Sequence, residues 1–173
     1  MKHVVLFALF LIALVGCQAP ATAQEAHDGE LSPWMTAELK DVRTGETFTV
    51  AGFDRPVLVE SFAVWCPLCT KQQNNIKKLH EELGDSFVSI ALDTDPNEDE
   101  AIVKEHAKSN GFDWRYSVAP KELTQALVDQ FGLGVVNAPR APVVLVCEDQ
   151  STRLLPGGVK SPDELKGEMA KGC

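Results

Sequence analysis

From about residue 35 onward the apolar positions follow two rhythms. Val57-Leu58-Val59-Glu60-Ser61-Phe62 is a nearly continuous apolar run, the pattern of a strand covered on both faces. Phe87 to Leu92 and Val143 to Cys147 repeat that pattern. Between the first two runs, Ile76, Leu79 and Leu83 form a helical stripe that Gly84 closes. Leu123, Leu127 and Phe131 recur every fourth residue and predict a helix over Lys121 to Phe131. Glu98 to Asn110 and Ser161 to Lys171 also read as helices, and Trp114 to Val118 as a short strand. Thr152 to Leu155 reads as the hairpin partner of the strand at 143–147. Ala37 to Val42 and Thr47 to Val50 flank the turn Arg43-Thr44-Gly45-Glu46, which predicts a further hairpin. Strands interleaved with helices indicate an α/β domain, and no internal repeat is visible.

The first residues follow a different rule. Lys2 and His3 precede an apolar run from Val4 to Val15, followed by Gly16 and Cys17. A short basic segment, about a dozen apolar residues and a small residue before the cut make a signal-peptide pattern. The run falls short of the roughly 20 residues that span a bilayer as a helix. Leu14-Val15-Gly16-Cys17 resembles the lipobox of prokaryotic lipoproteins, which implies cleavage after residue 16 and a lipid anchor on Cys17. An ordinary secretory signal or an uncleaved short anchor are the alternatives, and each still exports the domain. Residues 17–34 lack an apolar period and are rich in Ala, Gln, Glu and Pro, so they read as a flexible tether. The expected organisation is a signal peptide at 1–16, a tether at 17–34 and one folded domain at 35–173.

Composition narrows the partners. At 173 residues, 45% of them apolar, the chain can bury one sizeable core. A net charge of −9 repels phosphate backbones, so nucleic-acid binding is not expected.

The candidate chemistry lies at Trp65-Cys66-Pro67-Leu68-Cys69, directly after a buried strand and at the start of a helix. Two intervening residues in a first helical turn put both sulfurs on one side, close enough to form a disulfide. Pro67 suits the first helical position, where its missing N–H goes unused anyway. Cys66 then meets free backbone N–H groups and the positive end of the helix dipole. Both favour a thiolate, so Cys66 is expected to attack and the more buried Cys69 to resolve the mixed disulfide. A zinc site is disfavoured because Cys147 and Cys173 form no second knuckle and the histidines show no ligand spacing. A purely structural disulfide at 66–69 is the remaining alternative.

The run VLVESFAVWCPLC resembles the active-site strand and helix of the thioredoxin superfamily. The hairpin before it and the segment around 95–118 resemble the TlpA/ResA-like extracytoplasmic branch, over roughly residues 35–170. That resemblance implies a thioredoxin-like fold: a central mixed sheet flanked by helices, with an N-terminal hairpin and an inserted helix–strand segment. It also implies a thiol–disulfide oxidoreductase that needs no diffusible cofactor. Glu60, six residues before Cys66, matches the buried acid of thioredoxin; its raised pKa would let it take the Cys69 proton. The lysine that partners this acid in thioredoxin falls at Ser89, so no charged partner is evident. Pro142, rather than Pro139, matches the family's cis-proline and would lay an extended backbone edge beside Cys66 for a client peptide. Ala141 stands where some family members have Thr. Trp65 and Pro67 complete the expected substrate-contacting set with Ala141 and Pro142.

In this fold Cys147 and Cys173 fall at the pole away from the active pair, where a structural disulfide would be permitted in an exported protein. One buried and one frayed thiol is the alternative. Trp34, Trp114 and Phe112 read as core or rim, and His80 and His106 as surface residues on helices. The carboxylates Asp93, Asp95, Glu98, Asp99 and Glu100 lack the central glycine of a calcium loop and read as a solvated loop capping the next helix.

The expected activity is reduction of disulfides in exported client proteins, as in cytochrome c or metal-site assembly, by a monomer recharged by a membrane thiol protein. A disulfide-donating oxidase carries the same motif, and only the potential separates the two. A copper-binding assembly protein is the other alternative. Such proteins usually have three residues between the cysteines and a distant histidine, whereas this chain has two and no histidine after His106. The expected location is the outer face of the cytoplasmic membrane or another envelope membrane.

Overall fold

A computed structural model describes residues 31–173. The expected leader, most of the expected tether and the expected lipidation position Cys17 lie outside the described residues. The compact unit begins at Leu31, upstream of the boundary expected at residue 35. The reason is Trp34. A short helix, α1 (Pro33–Thr36), carries it into the core, where its ring meets Phe131 edge-on and its Nε1–H donates to Gln130 at 2.7 Å.

Next come β1 (Leu39–Lys40) and β2 (Thr47–Phe48), an antiparallel hairpin shorter than its apolar pattern suggested. Then follow β3 (Val57–Phe62), α2 (Pro67–Leu83), β4 (Val88–Asp93), α3 (Glu100–Asn110) and β5 (Arg115–Val118). The chain ends with α4 (Lys121–Phe131), β6 (Val143–Val146), β7 (Thr152–Leu154) and α5 (Pro162–Lys171). The main sheet has the order β5-β4-β3-β6-β7, parallel across β5, β4 and β3 and antiparallel across β6 and β7. A mixed central sheet with helices on both faces is the expected architecture.

Strand β3 is buried along its whole length, and its two faces serve different layers. Val57 and Val59 join Trp34, Leu123 and Leu127 on one side of the sheet. Leu58 and Phe62 join Ile76, Leu79 and Leu165 on the other. Alternation along a strand therefore turns Glu60 toward α2. Helix ends follow local chemistry. Gly84 closes α2 with φ 56°, Asp99 caps α3 through the Ala101 and Ile102 N–H groups, and Ser161 with Glu164 forms a capping box on α5.

Because β6 runs antiparallel to β3, its start lies at the end of the sheet that leads into Cys66, and its far end lies at the other pole. There Cys147 is bonded to Cys173, with Cα atoms 6.0 Å apart. Arg153 on β7 holds the same end of the chain through Glu168 and the Gly172 carbonyl.

His80 and His106 are not surface residues. They fall at helical spacing from Ile76 and Val103, which places them against the core. His80 stacks on Phe87 and Trp114 and reaches Ser89 Oγ at 3.0 Å. His106, only 8% exposed, stacks on Phe62. Burial lowers the pKa of both. No described helix is long and apolar enough to cross a membrane.

Candidate active site

Cys66 caps the N-terminus of α2, with Pro67 in the first helical position. The Cys69 N–H donates to Cys66 Sγ at 3.2 Å, so one of the helix's free donors is aimed at the sulfur. The two sulfurs are unbonded and stand 2.6 Å apart. The Cys69 thiol has a second acceptor, the Ala138 carbonyl, at 3.2 Å. Both cysteines are buried, while the flanking Trp65, Pro67 and Leu68 are exposed. Trp65 is 60% exposed and is held by its indole N–H donating to Asp95 at 2.6 Å.

The acidic loop does more than cap α3. Glu98 accepts the Val64 N–H at 2.8 Å and so fixes the backbone that enters the cysteine motif. Asp93 is buried, which contradicts the expectation of a wholly solvated loop. Burial first, and then the charge of Glu98, push its carboxyl up to about 7.

Glu60 is 1% exposed, and neither of its carboxylate oxygens has a hydrogen-bond partner. An unpaired charge in such a pocket costs several kcal/mol, so burial holds the carboxyl well above its usual range. Gln73, one turn beyond Cys69, is the adjacent polar group and favours the charged form. Its Nε2 makes no hydrogen bond, and its Oε1 lies 2.7 Å from His106 Nε2. Burial also pushes the Cys69 thiol far up, helped by the neighbouring Cys66 and then by the charge of Glu60.

Two sequence expectations need correction. No peptide bond among the described residues is cis, so the bond before Pro142 is trans. The chain turns there through Ala141, which adopts a left-handed conformation with φ 43° and ψ 58°. The expected open strand edge is therefore absent. Ala141 N–H donates to Ala138, its carbonyl accepts from Lys160 Nζ, and the Pro142 carbonyl accepts from Ser61 N–H. The second correction concerns charge. Glu60 makes no ion pair among the described residues, yet a positive charge in the loop before α5 still bears on it. Lys160 is buried, and its ammonium is the charge that favours an ionised Glu60. Ser89, the expected position, bonds to His80 instead.

Gln72 and Gln73 were within reach of sequence reasoning, since they extend the stripe of Cys69, Ile76 and Leu79 on the inner face of α2. Lys160 had no such signal. It sits in an irregular Gly-Gly-Val-Lys-Ser-Pro segment, and only the tertiary fold brings it against α2.

The profile of the Redoxin family matches residues 15–151, well over half of the chain. The chain belongs to the Redoxin family. Its fold is shared with a thioredoxin-family thiol:disulfide interchange protein from Chlorobium tepidum TLS, at 22% identity, covering 84% of this chain and 99% of that one with a TM-score of 0.64. A secreted Mycobacterium tuberculosis disulfide oxidoreductase, described as homologous to E. coli DsbE, matches at 15% identity over 80% and 97%, TM-score 0.58. The pneumococcal exposed lipoprotein thioredoxin from Streptococcus pneumoniae strain TIGR4 matches at 19% identity over 78% and 98%, TM-score 0.60. A comparison with curated proteins finds no match. Family membership, the thioredoxin-like fold and the paired cysteines identify a thioredoxin-like thiol–disulfide oxidoreductase of this Redoxin type.

Proposed function

We propose that this Redoxin-family chain is an exported, lipid-tethered reductase that opens disulfides in client proteins outside the cytoplasm. The observation that carries the reading is the placement of Cys69, its thiol buried against Cys66 on one side and within the field of Glu60 on the other. Cys66 Sγ, at the helix N-terminus, attacks one sulfur of a client disulfide; the S–S bond breaks and the second client sulfur leaves as a thiolate. Glu60, as carboxylate, then takes the Cys69 proton, and Cys69 Sγ attacks Cys66 Sγ. The Cys66–client bond breaks, the client leaves as a dithiol after taking up protons, and the enzyme is left with a Cys66–Cys69 disulfide. A membrane thiol protein of lower potential returns the two electrons.

Exposed Trp65, Pro67 and Leu68 flank the pair and offer an apolar rim to a client. With the Ala141 and Pro142 carbonyls occupied internally, client contact is assigned first to that rim. The lipobox-like residues before Cys17 support the anchor, and one solved structural neighbour is itself described as an exposed lipoprotein.

The test is the reduction potential of the Cys66–Cys69 couple, measured against glutathione and dithiothreitol buffers and repeated with Cys147 and Cys173 changed to Ser. A value near or below about −250 mV, the thioredoxin end of the scale, agrees with a reductase. A value above about −150 mV reverses the direction and makes the chain a disulfide donor. For the anchor, Cys17→Ala should release the chain from the membrane fraction.

A further inference from the structure

The sheet order places the cysteine motif between two loops of opposite character. Strand β3 leads into the motif, with β4 on one side and β6 on the other. The loop after β4 carries Asp95, Glu98, Asp99 and Glu100, and two of these bond to the motif, Asp95 to Trp65 and Glu98 to Val64. The loop before β6 carries one charged residue, Arg140. That loop touches the redox pair, since the Ala138 carbonyl accepts from the Cys69 thiol at 3.2 Å. The cysteines therefore lie between an anionic side and a cationic one.

Arg140 is exposed, and its charge is unpaired. Arg43, Arg55 and Arg153 are each ion-paired, and Arg115 lies over the Phe53 ring. Arg140 has no such partner among the described residues. Its guanidinium is nonetheless held in place. It lies over Gly157, where an added Cβ would stand 3.0 Å from Nη2 and 3.3 Å from Nε. The backbone beneath is laced to the same loop: Gly158 N–H donates to the Arg140 carbonyl at 2.8 Å, and Lys160 Nζ donates to the Ala141 carbonyl at 2.9 Å. A cation fixed before binding loses little side-chain entropy on meeting an anion, and a guanidinium offers a carboxylate two parallel donors.

We propose that Arg140 is a specificity-determining residue: it selects client disulfides that carry an Asp or Glu beside a cysteine, pairing with that carboxylate while Cys66 attacks. This rests on the Cys66–Cys69 pair opening client disulfides, and adds which of them it opens fastest. The net charge of −9 does not oppose it, because exposed charges more than about 8–10 Å away are largely screened at physiological salt. The acidic loop on the other side repels the same carboxylate, so the two loops together set which way round the client lies across the pair. The exchange itself is unaltered. Cys66 Sγ bonds one client sulfur, the client S–S bond breaks and the other client sulfur leaves as a thiolate that water protonates. Cys69 Sγ then displaces the first sulfur, which leaves the enzyme oxidised and the client a dithiol.

The experiment measures the second-order rates at which the reduced full-length chain opens short peptides closed by one disulfide and identical except for flanking Glu, Gln or Lys. Each rate is divided by that peptide's rate with dithiothreitol, which removes its intrinsic reactivity. In low salt the Glu peptide should then react about three- to fivefold faster than the Gln peptide, the scale of one exposed charge pair, and about 0.5 M NaCl should bring the ratio toward one. A ratio taken within one protein also cancels any general change in Cys66 reactivity. Arg140→Gln should bring the ratio to about one, Arg140→Lys should keep part of it, and Arg140→Glu should favour the Lys peptide. A preference for Lys in the wild-type chain overturns the inference, as does a wild-type ratio that persists in Arg140→Gln. The salt response needs no variant and decides if the substituted chains do not fold: a Glu advantage that salt leaves unchanged is not a charge pair, and overturns it. If the wild-type chain opens all three peptides at one rate, the inference falls and the reductase reading stands. If it opens none of them, that reading fails and takes the inference with it.

Discussion

Glu60 on β3 and Cys69 on the first turn of α2 are both buried, and neither holds a charge comfortably. The Cys69 thiol is pushed up by burial, by Cys66 and by Glu60, and the Glu60 carboxyl is pushed up by burial. A proton shared between such groups moves at little cost, because each ion is about as poorly solvated as the other. That balance is what a resolving step needs. Cys69 keeps its proton until a mixed disulfide presents Cys66 as a target, so wasteful side reactions of a free thiolate are suppressed.

Replacing Glu60 by Gln should separate the two halves of the reaction. Attack by Cys66 persists, while release of the client slows by roughly 10²-fold, the low end for a lost general base. Acid-quenched mass spectrometry during turnover of a model disulfide should then show the Cys66-linked adduct accumulating. Equal adduct levels in wild type and Glu60→Gln would remove Glu60 from the mechanism.

The same substitution should stabilise the fold. A carboxyl with a raised folded-state pKa binds more protons folded than unfolded once pH exceeds the unfolded value of about 4.3. Its contribution is therefore fully present below that pH and is lost as pH rises toward the folded-state pKa. Glu60→Gln escapes this loss. In urea titrations from pH 4 to 8, the variant should gain on wild type steadily as pH rises, and parallel curves would contradict the buried, unpaired carboxyl.

How much of this was legible before folding differs from residue to residue. Cys66, Cys69, Pro67 and Glu60 were readable because the chemistry of a helix N-terminus and the alternation of a strand are local, and both were visible in VLVESFAVWCPLC. The sheet and its helices followed from apolar runs, with most element boundaries within a residue or two. What failed was long-range or conformational. Lys160 sits against α2 from a segment some ninety residues downstream of it, with no periodic signature. Ala141 turns the chain by a left-handed φ, which no residue type at that position announces. Polarity alone puts the histidines on the surface, whereas their helical spacing from Ile76 and Val103 turns them toward the core.

Asp93 gives a second pH signature with its own window. Its carboxyl is raised to about 7 by burial and by Glu98, so its contribution is complete below about 4 and is lost as pH rises through 7. Asp93→Asn removes the titration without changing the shape. It should be more stable than wild type at pH 8 by about 1 kcal/mol or more, roughly 2–4 °C in Tm, and indistinguishable from it near pH 4. Because Glu98 also holds the Val64 N–H, the variant should make hydrogen exchange at Val64 less sensitive to pH between 6 and 8. Matching thermal profiles at pH 8 would mean that Asp93 is not held neutral.

The Cys147–Cys173 bond should matter for stability and not for catalysis. It closes a loop of 26 residues at the pole opposite Cys66, and in the chain-entropy model a loop of that size contributes about 3–4 kcal/mol. Changing both cysteines to Ser should lower the denaturant midpoint accordingly and steepen the slope, because the freed unfolded chain is less compact. The C-terminal helix should stay docked through Arg153, Glu168 and the Gly172 carbonyl, so the loss comes mainly from the freed unfolded chain. The potential of the Cys66–Cys69 pair should be the same in both proteins. With Cys66 and Cys69 also changed to Ser in both proteins, dithiothreitol should lower the melting temperature of the chain that keeps Cys147–Cys173 toward that of the variant and leave the variant's own unchanged. Equal stability of the two proteins under oxidising conditions would show that the bond does not constrain the chain, and a shifted potential would show that the two poles communicate.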